Sequence, residues 1–172
     1  MAIQITQGSV DELDLVEPLW LGLVAQHREV MADAMTFVDD AESWRRKRPK
    51  YRATLEEPES FLLLARLDDL PAPVGYLVAT VERESTNGLY DLWPAIGDID
   101  AVCVDPAHRG QGIGTALLEE AKRCLLDLGC TRWAVIVAEA NTDAVRLYER
   151  LGFAAWERQL VAPLFPSTDA PA

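Results

Sequence analysis

Hydrophobic and polar positions follow two different periods in the first half of the chain. Residues 3–6 alternate as a short strand does, and Ser9 is placed to cap a helix predicted over residues 10 to about 30. A second helix is predicted over residues 40–55, where Pro49 is expected to break or kink it. Residues 61–67 and 74–81 predict a hairpin of two strands, because a turn-rich connector joins two apolar runs. The apolar stripe of the first helix consists of Leu13, Val16, Trp20, Leu23 and Val24.

The second half of the chain alternates between strand-like and helix-like patterns. A strand is predicted at residues 96–104, a helix at about 112–128, a β-rich run at 131–137, and then a further helix and a last strand. Paired strands followed by this alternation indicate an α/β domain with a mixed, mostly antiparallel sheet. A chain of 172 residues fits one core, so we expect a single domain over residues 1–162 and a frayed tail at 163–172.

Glycine is concentrated between the strand at 96–104 and the helix that follows it. The segment reads Arg109-Gly110-Gln111-Gly112-Ile113-Gly114-Thr115. A helix that begins in glycines presents free backbone N–H groups at the positive end of its dipole, and no side chain blocks a close approach. The segment therefore predicts a phosphate-binding loop. It lacks the lysine of a P-loop, and its third glycine comes one residue too early for the dinucleotide fingerprint.

A second motif follows about 30 residues downstream, with the pattern Asn141-x-x-Ala144-x-x-x-Tyr148-x-x-x-Gly152-Phe153. The two motifs, in this order and spacing, resemble the two diagnostic stretches of the Gcn5-related N-acetyltransferase (GNAT) superfamily. The resemblance implies the single-domain acyl-CoA N-acyltransferase fold, with helices flanking the sheet. In that fold two parallel central strands, here residues 98–104 and 131–137, splay apart to admit the pantetheine arm of acetyl-CoA.

The resemblance also implies roles for the matched residues. Main-chain groups of Val102 and Val104 would bond the pantetheine amides, the loop amides would take the pyrophosphate, and Arg109 would orient the loop. Asn141 has an alternative role as the N-cap of the helix that follows it. The predicted acetyl-CoA-binding residues are Val102, Cys103, Val104, Arg109, Gly110, Gln111, Gly112, Ile113, Gly114, Thr115, Asn141 and Tyr148.

Tyr148 and Asp100 are the predicted catalytic residues. A phenol with a pKa of about 10 stays neutral at pH 7 and can protonate the departing CoA thiolate, as similar enzymes do with a tyrosine here; the alternative for Tyr148 is a packed aromatic. Asp98 and Asp100 share strand parity with Val102 and Val104, and provided that no bulge intervenes they point to one face. Related enzymes often carry a glutamate near this position, so the shorter Asp100 would need a water relay as base.

Charge and composition narrow the range of partners. The chain carries 28 acidic and 16 basic residues, a net charge of −12, which opposes nucleic-acid binding and suits either simple solubility or a cationic acceptor. Three cysteines without Cys-x-x-Cys spacing and two distant histidines indicate neither a disulfide framework nor a metal site. No apolar stretch approaches the roughly 20 residues of a membrane span, and the N-terminus has no secretory pattern, so a cytoplasmic location is expected.

These observations predict transfer of an acetyl group from acetyl-CoA to a primary amine in a ternary complex, without a metal. Acetylation of a protein N-terminus or lysine, and a non-catalytic acyl-CoA-binding module, remain open as alternatives. Covalent catalysis by Cys103 is disfavoured, because no base is positioned beside it. Homodimers are common among similar proteins, but the sequence shows no interface. Candidate acceptor-binding residues are Phe37, Asp39, Asp40, Tyr90, Asp91 and Trp93.

Overall fold

A computed structural model of the chain describes residues 2–31, 35–83 and 95–160. The predicted tail at 163–172 and the acceptor candidates Tyr90, Asp91 and Trp93 lie outside these ranges. The strands are β1 (Ile3–Gly8), β2 (Phe61–Leu67), β3 (Gly75–Glu82), β4 (Ile96–Val104) and β5 (Arg132–Val135). The α-helices are α1 (Glu17–Met31), α2 (Asp40–Glu56), α3 (Ile113–Asp127) and α4 (Thr142–Arg150), and short 3-10 helices span Val10–Leu15 and Pro106–His108.

The five strands form one sheet in the order β1-β2-β3-β4-β5. Strands β1 to β4 pair with one another in antiparallel fashion, and β5 pairs with β4 in parallel. The predicted hairpin is present as β2 and β3. The predicted fold class, a mixed and mostly antiparallel sheet flanked by helices, is therefore confirmed.

Helices cover both faces of the sheet. On one face α3 packs Leu117 and Leu118 against Leu63 and Leu77 of the central strands. On the other face the first 3-10 helix, α1 and α2 pack against alternate residues of the same strands. Strands buried on both faces read as continuous apolar runs, which explains the sequence of β2, where Leu62, Leu63 and Leu64 are all buried.

The continuous first helix predicted over residues 10–30 and a break of the second helix at Pro49 are both wrong, and both concern proline. The helix predicted over residues 10–30 is divided into a 3-10 turn and α1, because Pro18 has no N–H to donate to the carbonyl of Asp14. Conversely, α2 continues through Pro49 without a break. Trp44 and Tyr51, on either side of that proline, are both buried against the sheet, and this packing outweighs one lost helix hydrogen bond.

The C-terminal half has less strand than the sequence predicts. The β-rich run at 131–137 gives a strand of only four residues, and Ile136 just beyond it is 94% exposed. Residues 153–160 have no regular secondary structure where a last strand was expected, and residues 161–172 lie outside the described ranges. The helix predicted at about 112–128 and the strand at 96–104 are confirmed as α3 and β4.

Candidate functional site

The parallel strands β4 and β5 pair over only four residues, from Ile96 opposite Arg132 to Ile99 opposite Val135. From Asp100 onward, β4 has no partner strand on that side within the described ranges, so a gap opens between the two strands. The Asp105 N–H donates to the Val74 carbonyl across the antiparallel ladder, at 2.9 Å. Because ladder bonds alternate along a strand, the main-chain groups of Val102 and Val104 point away from β3 and into this gap.

Cys103 is turned the other way. The same alternation directs its main-chain groups to Tyr76, and its buried thiol donates to the Leu19 carbonyl at 3.1 Å. Burial raises the pKa of the thiol to about 11, so it stays protonated at neutral pH. Cys103 thus offers the gap neither its backbone nor a thiolate.

The glycine-rich loop follows directly at the end of β4. Gly110 and Gly112 adopt φ angles of 75° and 83°, which are left-handed and favour glycine. A Cβ atom at Gly112 would meet nothing within 4 Å, so backbone conformation, not space, requires this glycine. A Cβ atom at Gly114 would lie 3.4 Å from the Leu147 side chain, which is an ordinary van der Waals contact.

The backbone N–H groups of this loop are available to a ligand. The amides of Gly110, Gln111 and Gly112 bond no acceptor among the described residues, and these residues are exposed. Ile113, Gly114 and Thr115 form the first turn of α3, whose amides have no partner within the helix. The arrangement is a row of donors at the positive end of a helix, which suits an anion such as a pyrophosphate.

A polar bridge connects the loop to α4 across the mouth of the gap. Arg109 donates from Nε to the Val104 carbonyl at 3.2 Å and from Nη2 to Gln26 Oε1 at 3.1 Å. Gln26 in turn donates to Asn141 Oδ1 at 3.4 Å, and the same oxygen caps α4 by accepting from the Ala144 N–H. Sequence reasoning missed Gln26, because it belongs to neither motif and reaches the loop only through the tertiary fold.

Tyr148 lies on α4 with its ring in the core. It is 7% exposed and contacts the Phe153 ring edge-to-face, with the ring centroids 5.5 Å apart. No described residue hydrogen-bonds the Tyr148 hydroxyl. Burial raises the pKa of this phenol to about 12, so it is neutral throughout the physiological range. The sequence left two alternatives for Tyr148, a packed aromatic or a proton donor. The ring is packed, and the hydroxyl is protonated and has no hydrogen-bond partner among the described residues, so the geometry is compatible with both.

The assumption that β4 is free of bulges is wrong. Val78 pairs with Ala101 and Ala79 pairs with Ile99, so Asp100 has no partner on β3 and forms a β-bulge. The bulge reverses the alternation: Ile99 and Val102 pack on the α3 side of the sheet, whereas Ala101 packs on the α1 and α2 side. Asp100 accordingly points away from the face of the two valines and bonds Lys47 of α2, at 2.8 Å.

Asp98 occupies the same face as Asp100, two residues earlier on β4. A Cβ atom at Gly97 would meet Leu125 of α3, so the next side chain, that of Asp98, points to the opposite side of the sheet. Burial, together with the negative charges of Asp100 and Glu82, raises the pKa of Asp98 above its usual range.

Three of the predicted acceptor residues lie together between α1 and α2. Phe37, Asp39 and Asp40 line an open depression of about 670 Å³. Both carboxylates already have partners within the protein. Asp39 caps α2 by accepting from the Glu42 N–H, and Asp40 forms an ion pair with Arg28 at 2.6 Å.

A sheet whose two parallel strands separate beside a glycine-rich helix start defines the class of acyl-CoA N-acyltransferase folds. The family model described as Acetyltransferase (GNAT) family matches residues 26–153, and the chain belongs to this family. The expectation from the two motifs is therefore confirmed. No helix of the described residues is both long enough and apolar enough to cross a membrane.

The curated relatives that the chain matches include acetyltransferases. The chain is 35% identical to a mycothiol acetyltransferase of Thermobispora bispora over 146 residues, which is 81% of this chain and 43% of the relative. It is 33% identical to that of Saccharopolyspora erythraea over 104 residues, 58% of this chain and 34% of the relative. The chain therefore spans less than half the length of these relatives.

Solved structures agree on the fold. The aminoglycoside N-acetyltransferase AAC(6')-Iy in complex with CoA superposes with a TM-score of 0.69 at 18% identity, over 94% of each chain. At that identity the similarity establishes a shared architecture and leaves substrates to be argued from the site.

Proposed function

We propose that the protein transfers an acetyl group from acetyl-CoA to a primary amine by direct attack within a ternary complex. The observation that carries the proposal is the gap between β4 and β5, where main-chain groups of Val102 and Val104 point away from β3 and lead to a row of free loop amides. Membership of an acetyltransferase family and a CoA complex of a protein with this fold support the choice of donor.

The donor would bind largely through the backbone. The pantetheine arm would lie beside β4 as an added strand, with its amides bonded to Val102 and Val104. The pyrophosphate would accept from the amides of Gly110, Gly112 and their neighbours at the start of α3. Arg109 would add positive charge beside the phosphates, and its bonds to the Val104 carbonyl and to Gln26 hold the guanidinium against the loop.

The chemistry would need one proton donor and one proton acceptor. The amine nitrogen attacks the thioester carbonyl, an N–C bond forms and the C–S bond breaks. Tyr148, kept protonated by burial, gives its proton to the departing thiolate, and Asp100 takes the proton that the amine loses, directly or through water. A lysine-like amine is neutral at pH 7 in only about one molecule in 2500, so a nearby carboxylate base matters for such an acceptor.

The net charge of −12 and the carboxylates of β4 favour an acceptor that carries a positive charge before it reacts. The curated relatives are named for mycothiol, and the CoA complex is that of an aminoglycoside acetyltransferase. We infer a small amine-bearing acceptor, whose identity must come from screening.

A thermal-shift titration with acetyl-CoA, with NAD and ATP as controls, tests the donor assignment. At about 100 times the dissociation constant, binding adds roughly 2.7 kcal/mol, or about 5 to 10 °C for a domain of this size. The Arg109→Ala variant should need more acetyl-CoA for the same shift. Arg146→Ala is the matched control, because Arg146 is an exposed arginine on α4 whose ion pair among the described residues is with Asp143. The absence of any acetyl-CoA shift in the wild-type protein would remove the proposal.

A further inference from the structure

The ammonium group of Lys47 lies in a small cage on the α1 and α2 face of the sheet. Its Nζ atom is 2.8 Å from Asp100 Oδ2, 4.3 Å from the centroid of the Tyr51 ring and 5.1 Å from that of the Trp20 ring. The Lys47 side chain is only 19% exposed. A cation is therefore held between two aromatic rings and a carboxylate.

The aromatic walls of this cage are fixed by contacts that do not involve Lys47. Trp20 Nε1 donates to Ser43 Oγ at 3.0 Å, and the hydroxyls of Tyr51 and Tyr76 are hydrogen-bonded at 3.1 Å. The rings of Trp20 and Tyr51 also contact each other edge-to-face, with centroids 5.9 Å apart. These contacts do not depend on the lysine, so the aromatic part of the cage is preformed for an ammonium ion.

The position of the cage relates it to the gap. Asp100 is the bulge residue of β4 and the first residue after Ile99, where the pairing with β5 ends. The carboxylate wall of the cage thus stands where the two strands begin to separate. A cation in the cage is hydrogen-bonded to the same carboxylate that we assign as proton acceptor for the amine.

We propose that Trp20, Tyr51 and Asp100 form the subsite for the acceptor's primary ammonium group, and that Lys47 fills it in the protein without acceptor. This inference rests on the proposed function and names the part of the site that selects a cation. An acceptor displaces the Lys47 ammonium, gives its first proton to Asp100 and attacks the thioester as a neutral amine. The second proton, which the nitrogen loses as the N–C bond forms and the C–S bond breaks, passes through water to Tyr148 and replaces the proton that Tyr148 gives to the thiolate. The lysine is an internal competitor that weakens the binding of every acceptor.

A structural role for Lys47 predicts something different. If the pair with Asp100 only fastens α2 to β4, a free ammonium ion gains no site when the lysine is removed. The Lys47→Ala variant separates the two roles, because n-propylammonium has the three carbons and the nitrogen that this substitution deletes. Lys50→Ala is the matched control, since Lys50 is an exposed lysine on the same helix.

Calorimetric titration of n-propylammonium, without any donor, measures the subsite alone. We expect Lys47→Ala to bind the ion about tenfold more tightly than the wild type or Lys50→Ala, in line with a desolvated cation–π site and a carboxylate. Uncharged n-propanol should show no such gain, and adding Asp100→Asn to Lys47→Ala should abolish it. Equal affinities in the wild type and Lys47→Ala, or a gain that survives Asp100→Asn, would overturn the proposal.

Turnover then shows whether the ammonium subsite serves the acceptor. With acetyl-CoA and n-propylamine below saturation, Lys47→Ala should release thiol faster than the wild type and form N-propylacetamide, identified by mass spectrometry. Binding of both acetyl-CoA and n-propylammonium without product would also overturn the assignment. Failure of the proposed function itself would be visible separately, as the missing acetyl-CoA shift. If Lys47→Ala does not fold, Lys47→Gln replaces it in the same titration. We then expect a smaller increase in the affinity for n-propylammonium over that of the wild type, and no increase would overturn the proposal.

Discussion

The Tyr148→Phe substitution isolates the hydroxyl group from the ring that carries it. The phenylalanine ring keeps the contact with Phe153, whereas the proposed proton donor is lost. General acids contribute about 10² to 10⁴-fold to rate, so we expect kcat to fall by about 100-fold or more. Acetyl-CoA binding should be unchanged, because the other donor contacts are made by β4 and the loop.

Stability should be almost unaffected by the same substitution. The Tyr148 hydroxyl has no hydrogen-bond partner among the described residues, but it does not belong to the buried side-chain atoms that lack a partner, so solvent reaches it. Removing a solvated hydroxyl should therefore change the free energy of unfolding by no more than about 0.5 kcal/mol, or about 2 °C in Tm. Tyr148→Ala is the contrast, since losing a buried aromatic ring costs about 3 to 5 kcal/mol.

The pH dependence of turnover gives an independent check. A general acid works only while protonated, so its ionisation would lower kcat as pH rises through its pKa. With the Tyr148 pKa near 12, no such decline should occur between about pH 7 and pH 10, where an unperturbed tyrosine would already be half ionised. Thiol release followed in stopped assays, with saturating amine, measures this profile. A Tyr148→Phe enzyme with kcat within about threefold of the wild type would refute the role of the hydroxyl.

Three further predictions test other parts of the site. Gly112→Ala should destabilise the protein by about 1 to 2 kcal/mol in chemical denaturation, because its φ of 83° is left-handed, and Gly112→Asn should cost less. Asp98→Asn should raise Tm at pH 7, because the raised pKa of Asp98 means that the folded state disfavours the charged carboxylate. The destabilisation is absent at low pH, where Asp98 is protonated in the folded and unfolded states, and it develops as pH rises through the folded-state pKa. The higher Tm of the variant should therefore disappear at about pH 3. Gln26→Ala should raise the KM for acetyl-CoA more than it lowers kcat, because it removes the bridge between Arg109 and Asn141; an unchanged KM would assign the bridge to stability alone.

The parts of this protein that the sequence predicts are those determined by local pattern. The two apolar runs with a turn between them are the hairpin of β2 and β3, and the glycine loop does begin a helix at Ile113. Asn141 caps α4 as its position in the second motif suggests. In each case the relevant contacts join residues that are close in the chain, so propensity, capping and turn chemistry suffice.

The parts that it does not predict depend on single residues in a tertiary context. The alternation of polar and apolar residues in β4 continues across Asp100, so nothing in the pattern reveals that a bulge there changes the face of the strand. Lys47 and Gln26 lie on helices that belong to neither motif, and both reach the site from 53 or more positions away. Pro49 is tolerated because buried residues hold the helix on both sides of it.

The strand order of the sheet implies that its stability is uneven. The first four strands lie side by side in chain order, whereas β5 is linked to β4 by the crossover through α3. Since its parallel pairing is four residues long, the β5 and α4 end has the fewest sheet hydrogen bonds to lose. In hydrogen exchange, we expect the β5 amides to exchange through a local opening that leaves β2 and β3 protected. Such an opening would abolish the donor cleft while the rest of the domain remained folded, so acetyl-CoA should slow exchange there first.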